Sequence, residues 1–110
     1  MNEIDRKNCP IMRALKVIGD PWTPLILREL FFQEPRRFRD LEELLAVSPN
    51  TLSARLKKLE LAQVIERQMY SSHPPRAEYV LTEKGRALAP VIEALYNWGE
   101  AHTPDITPRP

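Results

Sequence analysis

The apolar positions of the chain fall into short runs of helical spacing, punctuated by prolines and glycines, with one interval where the spacing turns to that of strands. Ile11, Leu15 and Ile18 recur four and three apart, which at 3.6 residues per turn sets them on one stripe. This spacing predicts a short helix with Pro10 in its first turn and Gly19 as a left-handed stop, its apolar surface widened by Met12, Ala14 and Val17. After the Asp20-Pro21 turn, a second helix is predicted over residues 22–32, with Thr23 as N-cap and Pro24 at the first position. Leu25, Ile26, Leu27, Leu30 and Phe31 make it apolar nearly all round, so it belongs at the centre of a small domain, with Trp22 closing one end of the core.

Gln33, Glu34 and Pro35 break the pattern, and residues 36–39 read as a short extended or turning segment before a helix over 40–45 that buries Phe38, Leu41, Leu44 and Leu45. Ala46, Val47 and Ser48 form a three-residue turn into the next helix, where Ser48 caps and Pro49 takes the first position. Leu52, Leu56 and Leu59 give that helix one narrow buried stripe, and it must end near Gln63. Residues 64–70 read as a strand, 71–75 as a polar, proline-stiffened turn and 76–81 as the returning strand of an antiparallel hairpin. Thr82 then caps a last helix carrying Leu88, Val91, Ile92, Leu95, Tyr96 and Trp98 to about residue 100 or 101, with Pro90 bending it.

At 110 residues the chain has room for one modest core, and 43% hydrophobic with 28% charged residues is ordinary for a soluble globular domain. The net charge of +1 does not announce a nucleic-acid partner, but it conceals two basic clusters, Arg36, Arg37 and Arg39, then Arg55, Lys57 and Lys58. No apolar run approaches the roughly 20 residues that span a bilayer, and the polar start lacks the apolar core of a secretion signal, so a cytoplasmic location is expected. A single cysteine agrees with a reducing compartment. Cys9, His73 and His102 are too scattered for a zinc site, and neither a metal nor a cofactor is expected. Paired carboxylates, a phosphate-cradling glycine loop and a nucleophile beside a base are all missing from the pattern, which argues against an enzyme.

Helix, tight turn and helix with an apolar turn residue at Val47 is a helix-turn-helix arrangement, in which the first helix braces the second against a DNA groove. Asn50, Ser53, Ala54, Lys57 and Lys58 point away from the leucine stripe. Small polar groups at the helix start suit base edges, and lysines further along suit phosphate. The hairpin then occupies the place of a wing, whose tip brings Arg76 to a phosphate or the minor groove. The first and last helices carry more apolar surface than one small core absorbs, so Ile11, Met12, Leu15, Leu88, Val91, Ile92, Leu95 and Trp98 form a candidate dimer surface, unless both helices pack on their own domain.

These pieces, in this order, resemble the HxlR family of bacterial winged helix-turn-helix regulators across nearly all of residues 9–100. The resemblance rests on Cys9-Pro10, Gly19, Trp22-Thr23, residues 26–30, Arg37-Phe38, Ser48-Pro49, residues 52–60, Pro74-Pro75-Arg76, Glu78-Tyr79, residues 81–85 and Trp98-Gly99. It implies a mainly helical α+β fold, a winged helix-turn-helix domain with N- and C-terminal dimerisation helices. The single domain would span 9–101, with the helix-turn-helix at about 40–62, the wing at about 64–82, dimerisation helices at about 10–19 and 83–101, and flexible segments at 1–8 and 102–110. It also implies a homodimeric transcription factor on a pseudo-palindromic operator, and in some members a cysteine at the position of Cys9 that senses electrophiles or oxidants. The chain departs from the family at Gln63, where glycine is usual, and at Leu61 and Ala62, which replace acidic residues.

On that reading Ser48, Asn50, Thr51, Ser53 and Ala54 lie at the DNA-facing start of the helix, Lys57 and Lys58 meet phosphate, and Arg37, Arg39, Arg55 and Arg76 clamp the backbone. Arg55 sits beside the leucine stripe and has the alternative of pairing with a core-side carboxylate. Cys9, before a helix and close to Lys7, is a candidate sensor for a thiol-reactive small molecule, against the alternative of a small packed residue. A winged-helix protein-interaction module that never touches DNA is the competing function.

Overall fold

The leucine and isoleucine stripes converge on α2 (Trp22–Phe32), whose Ile26, Leu27 and Leu30 are fully buried. The computed structural model describes residues 8–104. In chain order the other elements are α1 (Pro10–Ile18), β1 (Arg36–Arg37), α3 (Phe38–Leu45), α4 (Pro49–Leu61), β2 (Ile65–Ser72), β3 (Pro75–Leu81), α5 (Glu83–Arg86) and α6 (Ala89–His102). Leu41 from α3, Leu52, Leu56 and Leu59 from α4, Val64 and Ile65, and Tyr79 and Leu81 from β3 complete a core around α2. The three leucines of α4 bury the face that their spacing selects. Leu44 stays exposed, so of the residues expected to anchor α3 only Leu41 is fully buried, with Phe38 and Leu45 packed at the core's edge.

Among the described residues the sheet has three strands in the order β1-β3-β2, both pairings antiparallel. The segment expected merely to extend or turn thus supplies an edge strand, with Arg36 opposite Tyr79 and Arg37 opposite Glu78, and α3 begins at Phe38, two residues earlier than its spacing indicated. Arg36 belongs to the scaffold: its guanidinium lies 3.5 Å from Glu29 and is nearly buried. The hairpin strands run Ile65–Ser72 and Pro75–Leu81, and Met69 opposes Ala77 while Ser71 opposes Arg76, leaving Tyr70 as the extra residue of a bulge.

Three expected helix ends are corrected. Gly19 is not left-handed, with φ −81°; a Cβ there would lie 2.2 Å from the Leu15 carbonyl oxygen, so close approach is what glycine allows. Thr23 does not cap α2. Asp20 accepts from the N–H groups of Trp22 and Thr23 at 2.9 and 2.8 Å, and Thr23, fully buried as the second residue of the helix, donates its hydroxyl to the same carboxylate. Pro90 does more than bend the last helix. A proline there lacks its N–H and its ring would press on the carbonyl four residues back, so the chain breaks after α5 and restarts with Pro90 in the first turn of α6. The loose segments expected at the two ends lie mostly outside the described residues.

Candidate nucleic-acid interface

Helix α4 starts at Ser48, whose Oγ accepts from the Thr51 N–H at 3.3 Å and donates to the Thr51 hydroxyl at 2.9 Å. Opposite the leucines, Asn50, Ser53, Ala54 and Lys57 are exposed, and the rest of the described chain does not cover them. Leu61 lies on the same face at the far end and is also exposed. The flank formed by Thr51, Arg55 and Lys58 turns the other way. Arg55 Nε approaches Asp20 Oδ1 to 3.2 Å and Lys58 Nζ approaches Oδ2 to 3.9 Å, so one carboxylate at the head of α2 ties down the side of α4. Of the alternatives for Arg55, this is the carboxylate pair.

Asp20 holds its charge well. Burial alone would raise its pKa, but the hydrogen bonds from the Thr23 side chain and from the Thr23 and Trp22 backbone, with Arg55 nearby, outweigh it and bring the value below 3.8. The sequence contained a signal for this residue, since an aspartate just ahead of an apolar helical run is an N-cap type. Its second role, anchoring α4, is long-range and leaves no local trace.

The far end of α4 closes in a Schellman motif: the Gln63 N–H donates to the Glu60 carbonyl at 2.9 Å and the Val64 N–H to Leu59 at 3.0 Å. Gln63 has φ 61°, so the chain keeps the left-handed geometry that glycine usually relieves. The residues 81–85 stretch explains itself here. Thr82 Oγ1 donates to the Gln63 and Val64 carbonyls and accepts from the Gly85 N–H, while Lys84 Nζ donates to the Ala62 carbonyl at 2.7 Å. A Cβ on Gly85 would fall 2.1 Å from the Val64 carbonyl oxygen. These residues act together as a second brace for the helix.

Arg37 and Arg39 stand exposed at the start of α3, and the Arg37 N–H donates to Asp40 Oδ2 at 2.9 Å. The Arg37 guanidinium lies 4.6 Å from the centre of the Tyr70 ring, a cation–π contact made possible by the bulge that turns Tyr70 out of register. Tyr70 was not among the sequence candidates, because a bulge cannot be read from alternation alone. Arg76 is exposed beside the hairpin tip, where the Ser72 hydroxyl lies 3.2 Å from His73 Nδ1.

Away from this surface, Ile11, Met12 and Leu15 of α1 and Val91, Leu95 and Trp98 of α6 are exposed, Ile11 by 67% and Trp98 by 63%. Two of the eight residues expected on a dimer surface behave otherwise: Ile92 joins the domain's own core and Leu88 packs against it, because the break at residues 87–88 turns the start of α6 inward. Cys9, half-buried, stands at the N-cap of α1 without a side-chain capping bond. Lys7 lies outside the described residues. Among the described residues no cluster of histidine, cysteine, aspartate or glutamate could hold a metal, and no helix is long and apolar enough to cross a membrane.

The model of the HxlR-like helix-turn-helix family matches residues 17–107. An uncharacterized HTH-type transcriptional regulator of Mycobacterium tuberculosis is 47% identical over 92 residues, covering 84% of this chain and 58% of its own length. This chain therefore spans little more than half of that relative. The HTH-type regulator YdeP of Bacillus subtilis is 36% identical over 99 residues, covering 89% of this chain and 77% of its own. Among solved structures, the redox regulator HypR in its oxidized form superposes with a TM-score of 0.81 at 30% identity, covering 88% of this chain and all of that one.

Proposed function

The chain belongs to the HxlR-like helix-turn-helix family, and from that premise we propose that it is a sequence-specific DNA-binding regulator of transcription, working in the cytoplasm without enzymatic activity. The observation that carries this is the open face of α4, small and polar at its start and cationic at Lys57, held proud of the core by Leu52, Leu56 and Leu59. Asn50, Ser53 and Ala54 meet base edges, with Ser48 and Thr51 at the entry to the groove. Lys57, Arg37, Arg39 and Arg76 meet phosphate. Lys58 divides itself between Asp20 and the backbone, and Arg55 positions the helix rather than gripping DNA.

The protein acts as a homodimer on a pseudo-palindromic operator. The exposed apolar residues of α1 and α6 support this, since a monomer gains nothing from leaving Ile11, Leu15, Leu95 and Trp98 in water. Cys9 serves as a sensor for oxidants or electrophiles; its half-buried place at the start of α1 and the likeness to a redox regulator are in keeping with it.

Selection of an operator from random duplexes, followed by binding titrations over a range of salt, tests the reading. Lys57→Ala should weaken every duplex alike and flatten the slope of log affinity against log salt by about 1. An unchanged slope removes Lys57 from the interface, and failure to enrich any duplex leaves the protein-interaction module as the function.

A further inference from the structure

A cleft of about 460 Å3 opens between α1, the head of β2 and the break that separates α5 from α6. Its walls are mostly apolar, with Val17 and Ile18 from α1 and Val64 and Leu88 across from them. The charged groups that line it, Arg13 and Lys84, are both cations, and no carboxylate lines it among the described residues. Small-molecule sites commonly measure about 300–1,000 Å3 and combine apolar walls with a few polar groups that fix orientation. An apolar cleft whose charges among the described residues are all positive suits an apolar body with one anionic head. Lys84 is engaged elsewhere as well, through its 2.7 Å hydrogen bond to the Ala62 carbonyl at the end of α4.

We propose that this cleft binds a carboxylate of one or two rings, its anionic group taken by Arg13 and Lys84, and that occupancy draws Lys84 off the Ala62 carbonyl and loosens the C-terminal end of α4. The first half of the proposal stands without DNA; the second rests on α4 being the DNA-reading helix. The ammonium gains by the exchange, because a carboxylate adds the attraction of an opposite full charge to the hydrogen bond that a neutral carbonyl accepts. The helix end loses one of the bonds that satisfy its last carbonyls.

Calorimetric titration of the full chain with 2-naphthoate, and with 2-naphthamide as its uncharged counterpart, tests the first half. One saturable site per chain is expected, with the acid at least about tenfold tighter than the amide. Arg13→Met and Lys84→Met should each lose about tenfold, and Ala14→Trp, which fills the cleft, should abolish binding while keeping the helical circular-dichroism signal. No saturable binding, equal affinity for acid and amide, or undiminished binding by Ala14→Trp overturns the site. So does dissociation of a wild-type dimer by Ala14→Trp in sedimentation, since a second copy would then be the occupant. For the second half, 2-naphthoate should weaken operator binding by the wild type and leave Lys84→Met unresponsive. Tight naphthoate binding with unaltered operator affinity overturns the coupling alone.

Discussion

Replacing Asp20 with alanine removes one carboxylate that caps α2, receives a buried hydroxyl and anchors α4. Losing the cap costs about 1 kcal/mol. Leaving the fully buried Thr23 hydroxyl without its acceptor costs about 1–3 kcal/mol. The pairs with Arg55 and Lys58, whose side chains are 34% and 41% exposed, contribute at most about 1 kcal/mol together. Since these share one group and do not add in full, the expected loss is about 3 kcal/mol, or roughly 12 °C in Tm for a chain of this size. Asp20→Asn keeps the acceptor and the cap but not the charge, so it should lose only about 1 kcal/mol. The gap between wild type and Asp20→Asn also depends on pH. The folded carboxyl gives up its proton more readily than the unfolded one, so its charge stabilises in full above the unfolded pKa near 3.8 and ceases to do so as pH falls through the lower folded value. Urea unfolding followed by circular dichroism, at pH 7 and at steps below 4, measures both. A cost for alanine no greater than for asparagine, or a gap that widens on acidification, would refute the reasoning.

Gln63→Gly relieves a side chain held at φ 61° and should stabilise the domain by about 0.5–1 kcal/mol in thermal unfolding. Gly85→Ala drives a methyl into the Val64 carbonyl and should cost about 2 kcal/mol or more, with weaker operator binding because the brace on α4 shifts. Leu15→Asp, on the exposed face of α1, should leave the monomer folded and abolish self-association in sedimentation; an unchanged dimer would place the interface elsewhere.

Much of this fold is written locally. The leucine stripe of α4, its serine cap and Pro49 are short-range signals, and the structure follows them residue by residue. What escaped is what depends on distant partners or on positive φ. Arg36-Arg37 becomes a strand only because β3 passes alongside to receive it. Ala46, at φ 51° in the turn before α4, gives no compositional warning, since alanine has no preference for that region. The open face of α4 was legible because it is the complement of a buried stripe, whereas Tyr70 reaches Arg37 only through a bulge and Arg55 reaches Asp20 only through the tertiary packing of α4 on α2.

The supports of α4 are distributed unevenly, and that has a mechanical consequence. Its leucines fix the helix to the core, Asp20 holds one flank, and Thr82, Lys84 and Gly85 brace its C-terminal end. Its N-terminal turn carries its own Ser48 cap and the fully buried Leu52. A helix seated on its leucines and held at one flank and one end has little rigid-body freedom left to lose on binding, which suits the proposed reading of DNA. Thr82 and Lys84 bond the carbonyls of Ala62 to Val64, so on the proposed function a change at α5 or in the cleft beneath α1 that breaks those bonds should alter operator affinity with Asn50, Ser53 and Lys57 left unchanged.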